Sequence, residues 1–245
     1  MKTLVIDVGG TNIKLLASGQ QDPVKIPSGP AMTAEEMVRA VLDATHAWDY
    51  EVISIGYPGP VVDGKPLREP YNLGGGWIDL DYQQHFGRPV KLVNDASMQG
   101  LGSYEGGRML FLGLGTGLGS ALVIGKTLVP LELAHLPYRK DRTFEDYVGL
   151  RGLKRLGKKK WRRAVADVVG RLKAALLADY VVLGGGNAKR IRALPPDTRL
   201  GNNRNAFLGG FRLWEEDVSV ASPSHPCYGA SPAVQTVEEA KNEGT

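Results

Sequence analysis

The chain has 245 residues, with 30 Lys and Arg against 26 Asp and Glu, a net charge of +4, 42% apolar residues and a single cysteine. That is enough apolar sequence for one large domain or two small lobes around a cleft. The lone Cys227 excludes an internal disulfide or a multi-cysteine metal site, and a reducing compartment fits. Asp7 breaks the opening MKTLVIDVGG too early for a signal peptide, and no apolar run spans a bilayer, so a soluble cytoplasmic protein is expected.

In chain order, TLVIDV and IKLLAS read as strands on either side of a glycine turn. TAEEMVRAVLDATHAW opens with Thr33 and Glu36 at capping-box spacing. Met37, Val38, Val41 and Leu42 then recur at helical spacing, which predicts a helix with one face on a sheet. VISIGY and VKLVND read as buried strands, and the Pro- and Gly-rich PGPVVDGKPLREPYNLGGGW between them as loops. ASMQGLGSY follows as a helix. A second lobe is expected from Gly106, with a second glycine hairpin in LFLGLGTGLGSALVIG, a helix over roughly 161–178, the strand YVVLGGG and a short helix around NAFLGGFRLW. After Trp214 the chain turns polar. Residues 1–105, 106–215 and 216–245 are thus expected to form an N-terminal lobe, a C-terminal lobe and a peripheral or poorly ordered tail. The paired hairpin suggests two halves built on one plan.

Each hairpin places glycines and a threonine, Thr11 or Thr116, in a turn between apolar runs. Glycine lets backbone N–H groups approach a phosphate closely. One such turn alone is better read as an ordinary hairpin; two of the same grammar favour one object gripped from both sides. GLGTGLG lacks the spacing of a dinucleotide-binding turn and runs on into a strand. IGKTLV resembles the end of a P-loop but has Ser120 where the first glycine is required. Asp95 ends a strand and begins a helix. A carboxylate there can face a cleft and accept a proton from an attacking hydroxyl, or it can simply cap the helix. The run RGLKRLGKKKWRRAVADVVGRLK is open to three readings: a solvated helix face, a polyphosphate path or a nucleic-acid patch, with only Trp161 as an interleaved aromatic.

Taken together and in order, DVGGTNIK, GYPGPV, VNDA, LGLGTGLGSALV, ELAH, FEDYVG and VVLGGGNA resemble the ROK family of sugar kinases, within the actin-like ATPase superfamily. The likeness covers about residues 3–214 and is greatest to the short bacterial glucokinases, including polyphosphate glucokinases. The resemblance implies an α/β, actin-like (ribonuclease H-like) two-lobe fold with a central cleft, and a cytoplasmic kinase that phosphorylates a hexose, most simply glucose at its 6-hydroxyl. It makes Asp95 the catalytic base and Asn94, Glu132, His135 and Glu145 sugar ligands. Gly9, Gly10, Thr11 and Asn12 become the first phosphate loop, Gly115, Thr116 and Gly117 the second, and Gly184, Gly185 and Gly186 the adenosine-side loop. Asp7 would hold Mg²⁺. The donor would be ATP, polyphosphate or both.

Two departures stand out. Ala134 replaces a family glycine in ELAH, where its methyl could shift the backbone carrying Glu132 and His135. The following LPYRKDRTF lacks the cysteines that bind zinc in many family members, so no zinc is expected. The chain starts at the first strand with no helix-turn-helix before it, which argues against a regulator. A hexose is the expected partner, with no nucleic acid and no membrane, and a homodimer is compatible with the reading. Another hexose (fructose, mannose or an N-acetylhexosamine) and a sugar-binding regulator without activity are the alternatives.

Overall fold

The computed structural model of the chain describes residues 1–202 and 204–222. Cys227 and the remainder of the expected tail, 223–245, lie outside them. The first lobe is built from β1 (Thr3–Val8), β2 (Asn12–Ala17), β3 (Val24–Pro27), α1 (Ala34–Thr45), β4 (Val52–Tyr57), a small ladder of β5 (Val61–Val62) and β6 (Lys65–Pro66), α2 (Tyr82–Phe86) and β7 (Val90–Asn94). Its five-stranded sheet has the order β3-β2-β1-β4-β7. The runs of Val, Ile and Leu in β1 and β4 are central strands, covered on both faces. Helix α1 starts where the sequence predicts. Thr33 Oγ1 accepts the Glu36 N–H at 3.2 Å and Glu36 Oε2 accepts the Thr33 N–H at 2.9 Å. It buries Met37, Val38 and Val41 on the sheet; Leu42 falls off the stripe and is exposed.

The second lobe follows the crossing helix α3 (Asp95–Ser103). It comprises β8 (Arg108–Leu114), β9 (Leu118–Ile124), β10 (Thr127–Leu131), a ladder of β11 (Pro137–Arg139) and β12 (Arg142–Thr143), α4 (Phe144–Val148), α5 (Leu150–Ala175), β13 (Tyr180–Gly184), β14 (Thr198–Leu200), α6 (Asn205–Arg212) and β15 (Ser219–Val220). The sheet order is β14-β13-β8-β9-β10-β15. Helix α5 begins well before the expected residue 161. It is broken only at Gly157, whose φ of 71° and ψ of 162° no helix holds, so the basic run is helical on both sides of a kink. Trp161 anchors it, fully buried, with Nε1 donating to the Val148 carbonyl at 2.8 Å.

The two sheets repeat one plan. β1 pairs antiparallel with β2 on one side and parallel with β4 on the other, and β8 does the same with β9 and β13. β3 and β10 extend the antiparallel side, β7 and β14 the parallel side. Among the described strands of the two sheets, only β15 has no counterpart; it joins the edge of β10 in parallel. The helices that follow β7 and β14, α3 and α6, pack against each other between the sheets. A methyl group on Gly102 would overlap the Asn205 carbonyl oxygen, and one on Gly209 that of Met98, so glycine lets these two backbones touch. Around them Val5, Met98, Leu101, Phe111, Phe207 and Leu213 form a buried cluster that joins the lobes. The helix read from sequence as part of the second lobe is thus half of the junction.

Candidate active site

β7 delivers Asn94 and Asp95 to the cleft, and the local hydrogen bonds divide their tasks. Asn94 caps α3: its Oδ1 accepts from the N–H of Ala96 at 2.9 Å and of Ser97 at 3.2 Å. Its Nδ2 donates to the Gly59 carbonyl at 2.9 Å, which ties down the GYPGP loop and leaves one N–H over. Asp95 is therefore not the cap. It is the first residue of α3, and among the described residues its carboxylate accepts only the Ala96 N–H, at 2.7 Å.

The surroundings of Asp95 push its carboxyl up to about 7. Burial is the largest cause; the negative charges of Asp7 and Glu132 add to it, while the Ala96 N–H and the Lys14 ammonium oppose it. Charges from the first hairpin and from Glu132 thus act on Asp95. Lys14 is a residue that sequence reading missed. It lies opposite Asp7 in the β1–β2 register, and its Nζ is 2.7 Å from Asp7 Oδ2. Its signal was its place two residues beyond Asn12 in DVGGTNIK, on the same face of the strand.

The first turn is held from outside. Ser28 Oγ donates to the Gly9 carbonyl at 2.6 Å, and a methyl on Gly10 would stand 2.9 Å from Asn72 Cβ. Thr11 is exposed at the tip, and Asn12 begins β2. In the second turn Thr116 is exposed in the same way, and its carbonyl accepts the N–H of Leu150 at the start of α5. Gly117 makes room for Glu145, since a methyl there would overlap the carboxylate. Glu145 Oε2 accepts the Leu118 N–H at 3.2 Å, and Arg151 Nη2 donates to Oε1 at 3.3 Å. Gly115 and the glycine loop after β13 are joined by Asn187, which the sequence also left unmarked. Its backbone N–H donates to the Leu114 carbonyl at 2.9 Å and its Nδ2 to that of Gly115 at 3.0 Å. Gly184 is buried under the Phe111 ring, Gly185 takes a φ of +77° beneath Leu114, and Gly186 is exposed.

Glu132 and His135 lie beyond β10. The carboxyl of Glu132 is raised by burial and by Glu145, while His135 and Arg68 act to lower it. Its side chain still reaches solvent, which weakens the effect. Arg68 is a third residue the sequence did not single out. The Ala134 methyl is buried in the second-lobe core, and the Ala134 carbonyl accepts the Glu145 N–H at 3.0 Å. The charges of Asp7, Lys14 and Glu132 thus act on Asp95, and those of Glu145, His135 and Arg68 on Glu132. Such a site can take a proton from a hydroxyl at Asp95.

No protein-family profile matches the chain. It is 26% identical over 206 residues to a polyphosphate glucokinase of Mycobacterium tuberculosis, covering 76% of this chain and 77% of that one. Its structure matches that of an inorganic polyphosphate/ATP-glucomannokinase from Arthrobacter sp. strain KM with a TM-score of 0.71 at 23% identity, over 85% of this chain and 96% of that one. It also matches a ROK family glucokinase from Streptomyces griseus, solved with glucose and AMPPNP, with a TM-score of 0.66 at 17% identity, over 85% and 97% of the two chains. In sequence the chain is similar to polyphosphate glucokinases, and in fold to solved structures of ROK family sugar kinases.

Proposed function

We propose that the chain is a hexose kinase that transfers a phosphoryl group from polyphosphate or ATP to a sugar hydroxyl, with the 6-hydroxyl of glucose as the acceptor. The observation that carries this reading is the placing of Asp95: a half-buried carboxyl pushed up to about 7, at the start of α3, with the charges of Asp7, Lys14 and Glu132 acting on it. Asp95 takes the proton of the attacking hydroxyl, and a base that titrates near neutrality suits that task. Glu132, His135, Glu145 and the spare N–H of Asn94 orient the sugar through its other hydroxyls. The turns at Gly9–Asn12 and Gly115–Gly117 hold the donor phosphates, and Lys14 supplies a cation beside them. Among the described residues no group of three or more His, Cys, Asp or Glu could hold a metal ion by itself. A lone carboxylate suits Mg²⁺, which keeps most of its waters and shares the phosphates. Asp7 would hold it, and the ion would neutralise charge on the donor.

The donor reading rests on α5. The helix begins beside Thr116 at the second turn and carries Lys154, Lys158, Lys159, Lys160 and Arg163 outward, exposed and without an ion pair among the described residues. Such a path suits a long polyanion that continues past the turns, whereas ATP ends at its adenosine. Arg151 and Arg155 are already engaged, by Glu145 and by the Asp146 carbonyl. A coupled assay over a hexose panel with both donors tests the reading: phosphorylation of glucose supports it, and no turnover of any hexose with either donor overturns it.

A further inference from the structure

Next to Asn94 and Glu132, and outside both glycine turns, lies a cavity of about 680 Å³. Both sheets contribute to it. Val62 of the β5–β6 ladder, Leu92 of β7, Val129 of β10 and Val220 of β15 form an apolar wall, with Leu213 beyond α6. The size and lining are those of a small-molecule site. Its polar lining residues are Asp63, Lys91, Asn94, Ser97, Glu132 and Ser222. Ser97 is fully buried, and its hydroxyl has no hydrogen-bond partner among the described residues. An unpaired buried hydroxyl is costly, so the fold leaves a donor unused beside an apolar space. Asn94 retains one N–H, and Glu132 retains its carboxylate. The one cation in the wall is committed: Lys91 donates to the Leu213 carbonyl at 2.7 Å and lies over the Trp214 ring. With Lys91 engaged and Asp63 and Glu132 the other charged residues of the lining, the chamber disfavours an anionic group.

Asn94 and Glu132 belong to the chamber wall and to the acceptor site alike. We propose that the chamber receives an apolar substituent carried by the acceptor hexose, so that aryl glycosides bind better than the free sugar. This rests on the hexose-kinase reading. The sugar ring would keep its place against Asn94 and Glu132, and the substituent would cover the valine and leucine wall.

Calorimetry on the full chain with glucose, phenyl α-glucoside and phenyl β-glucoside tests this. One anomer should bind about tenfold or more tighter than glucose, as expected for burying a phenyl ring. Val129→Trp, which fills the chamber, should remove that gain and leave glucose affinity unchanged. Weaker binding of both anomers while glucose is phosphorylated normally overturns the chamber and leaves the kinase reading intact; so does a gain that survives Val129→Trp. Benzyl alcohol, followed by saturation-transfer NMR, probes the chamber without a sugar. A signal lost in Val129→Trp supports it even should glucose turnover fail, and no signal from the wild-type chain overturns it.

Discussion

The hairpin of β1 and β2 and that of β8 and β9 hold equivalent places in their sheets, but different residues face the cleft from them. Asp7 pairs with Gly56 of β4 and Lys14 across the hairpin; at the matching place Gly113 pairs with Gly184 of β13 and Gly119 across the hairpin. The first half thus carries a charged pair where the second carries only backbone. The reason lies in α3. A methyl on Gly119 would stand 2.5 Å from Ala96 Cβ, so the second hairpin lies directly against the first turn of the helix that presents Asp95. A charged pair there would force α3 away. One hairpin sets the electrostatics around Asp95, and the other fixes its position.

The largest expected effect comes from removing the group on which both hairpins converge. Asp95→Asn keeps the shape but cannot take a proton, and kcat should fall by about 10²- to 10⁴-fold. Sugar affinity measured by calorimetry should stay close to that of the wild type. Near-native turnover in this variant would leave Asp95 with no chemical role and reduce the contrast between the hairpins to packing.

Gly119→Ala tests the other half. The added methyl must displace Ala96 and with it the start of α3, at a cost of about 1–3 kcal/mol of stability. Urea denaturation should show this loss, together with a drop in kcat, because Asp95 moves with α3. A variant with unchanged stability would mean that the second hairpin does not support the helix.

This division of labour explains what was legible in the sequence. The motifs that carry local backbone geometry read out directly: both glycine turns, the Thr33 cap and the strand leading to Asp95. Long-range pairings did not. Asn94 and Asp95 are both common caps, and only the Gly59 carbonyl and the two helix N–H groups assign the cap to Asn94. Lys14 reads as an ordinary exposed strand residue until its register opposite Asp7 is known. Arg68 sits in a loop whose Pro and Gly residues announce irregular backbone but not its destination. The apolar residues of NAFLGGFRLW fit any buried helix; that α6 crosses to meet α3 depends on Gly102 and Gly209 lying face to face, 107 positions apart in the chain.

The next effect separates the donors at the second hairpin. Replacing Lys158, Lys159 and Lys160 with Glu should raise KM for polyphosphate about tenfold or more and leave KM for ATP nearly unchanged. The difference should shrink in high salt as the exposed charges are screened. Equal effects on both donors, or none, would make this helix face simply solvated and leave ATP as the simpler donor.

The smallest effect is a shift along the pH axis, and it isolates the charged pair of the first hairpin. The base acts only when deprotonated, so with Asp95 near 7 the kcat/KM of the wild type should fall as pH drops below about 7. Lys14 lowers the carboxyl of Asp95 and Asp7 raises it. Lys14→Met should therefore move the acid limb upward by a fraction of a pH unit, and Asp7→Asn should move it downward. Stability carries the opposite sign to activity. A carboxyl raised in the folded state binds its proton more tightly there than in the unfolded chain, so it destabilises the fold increasingly as pH rises from about 4 to 7. Asp95→Asn should accordingly raise Tm at pH 8, with the gain fading toward pH 4, while Lys14→Met should lower Tm at pH 8. A wild-type acid limb near 4, or a Tm difference for Asp95→Asn that does not depend on pH, would show that the first hairpin leaves Asp95 an ordinary carboxylate and that its charges serve the donor alone.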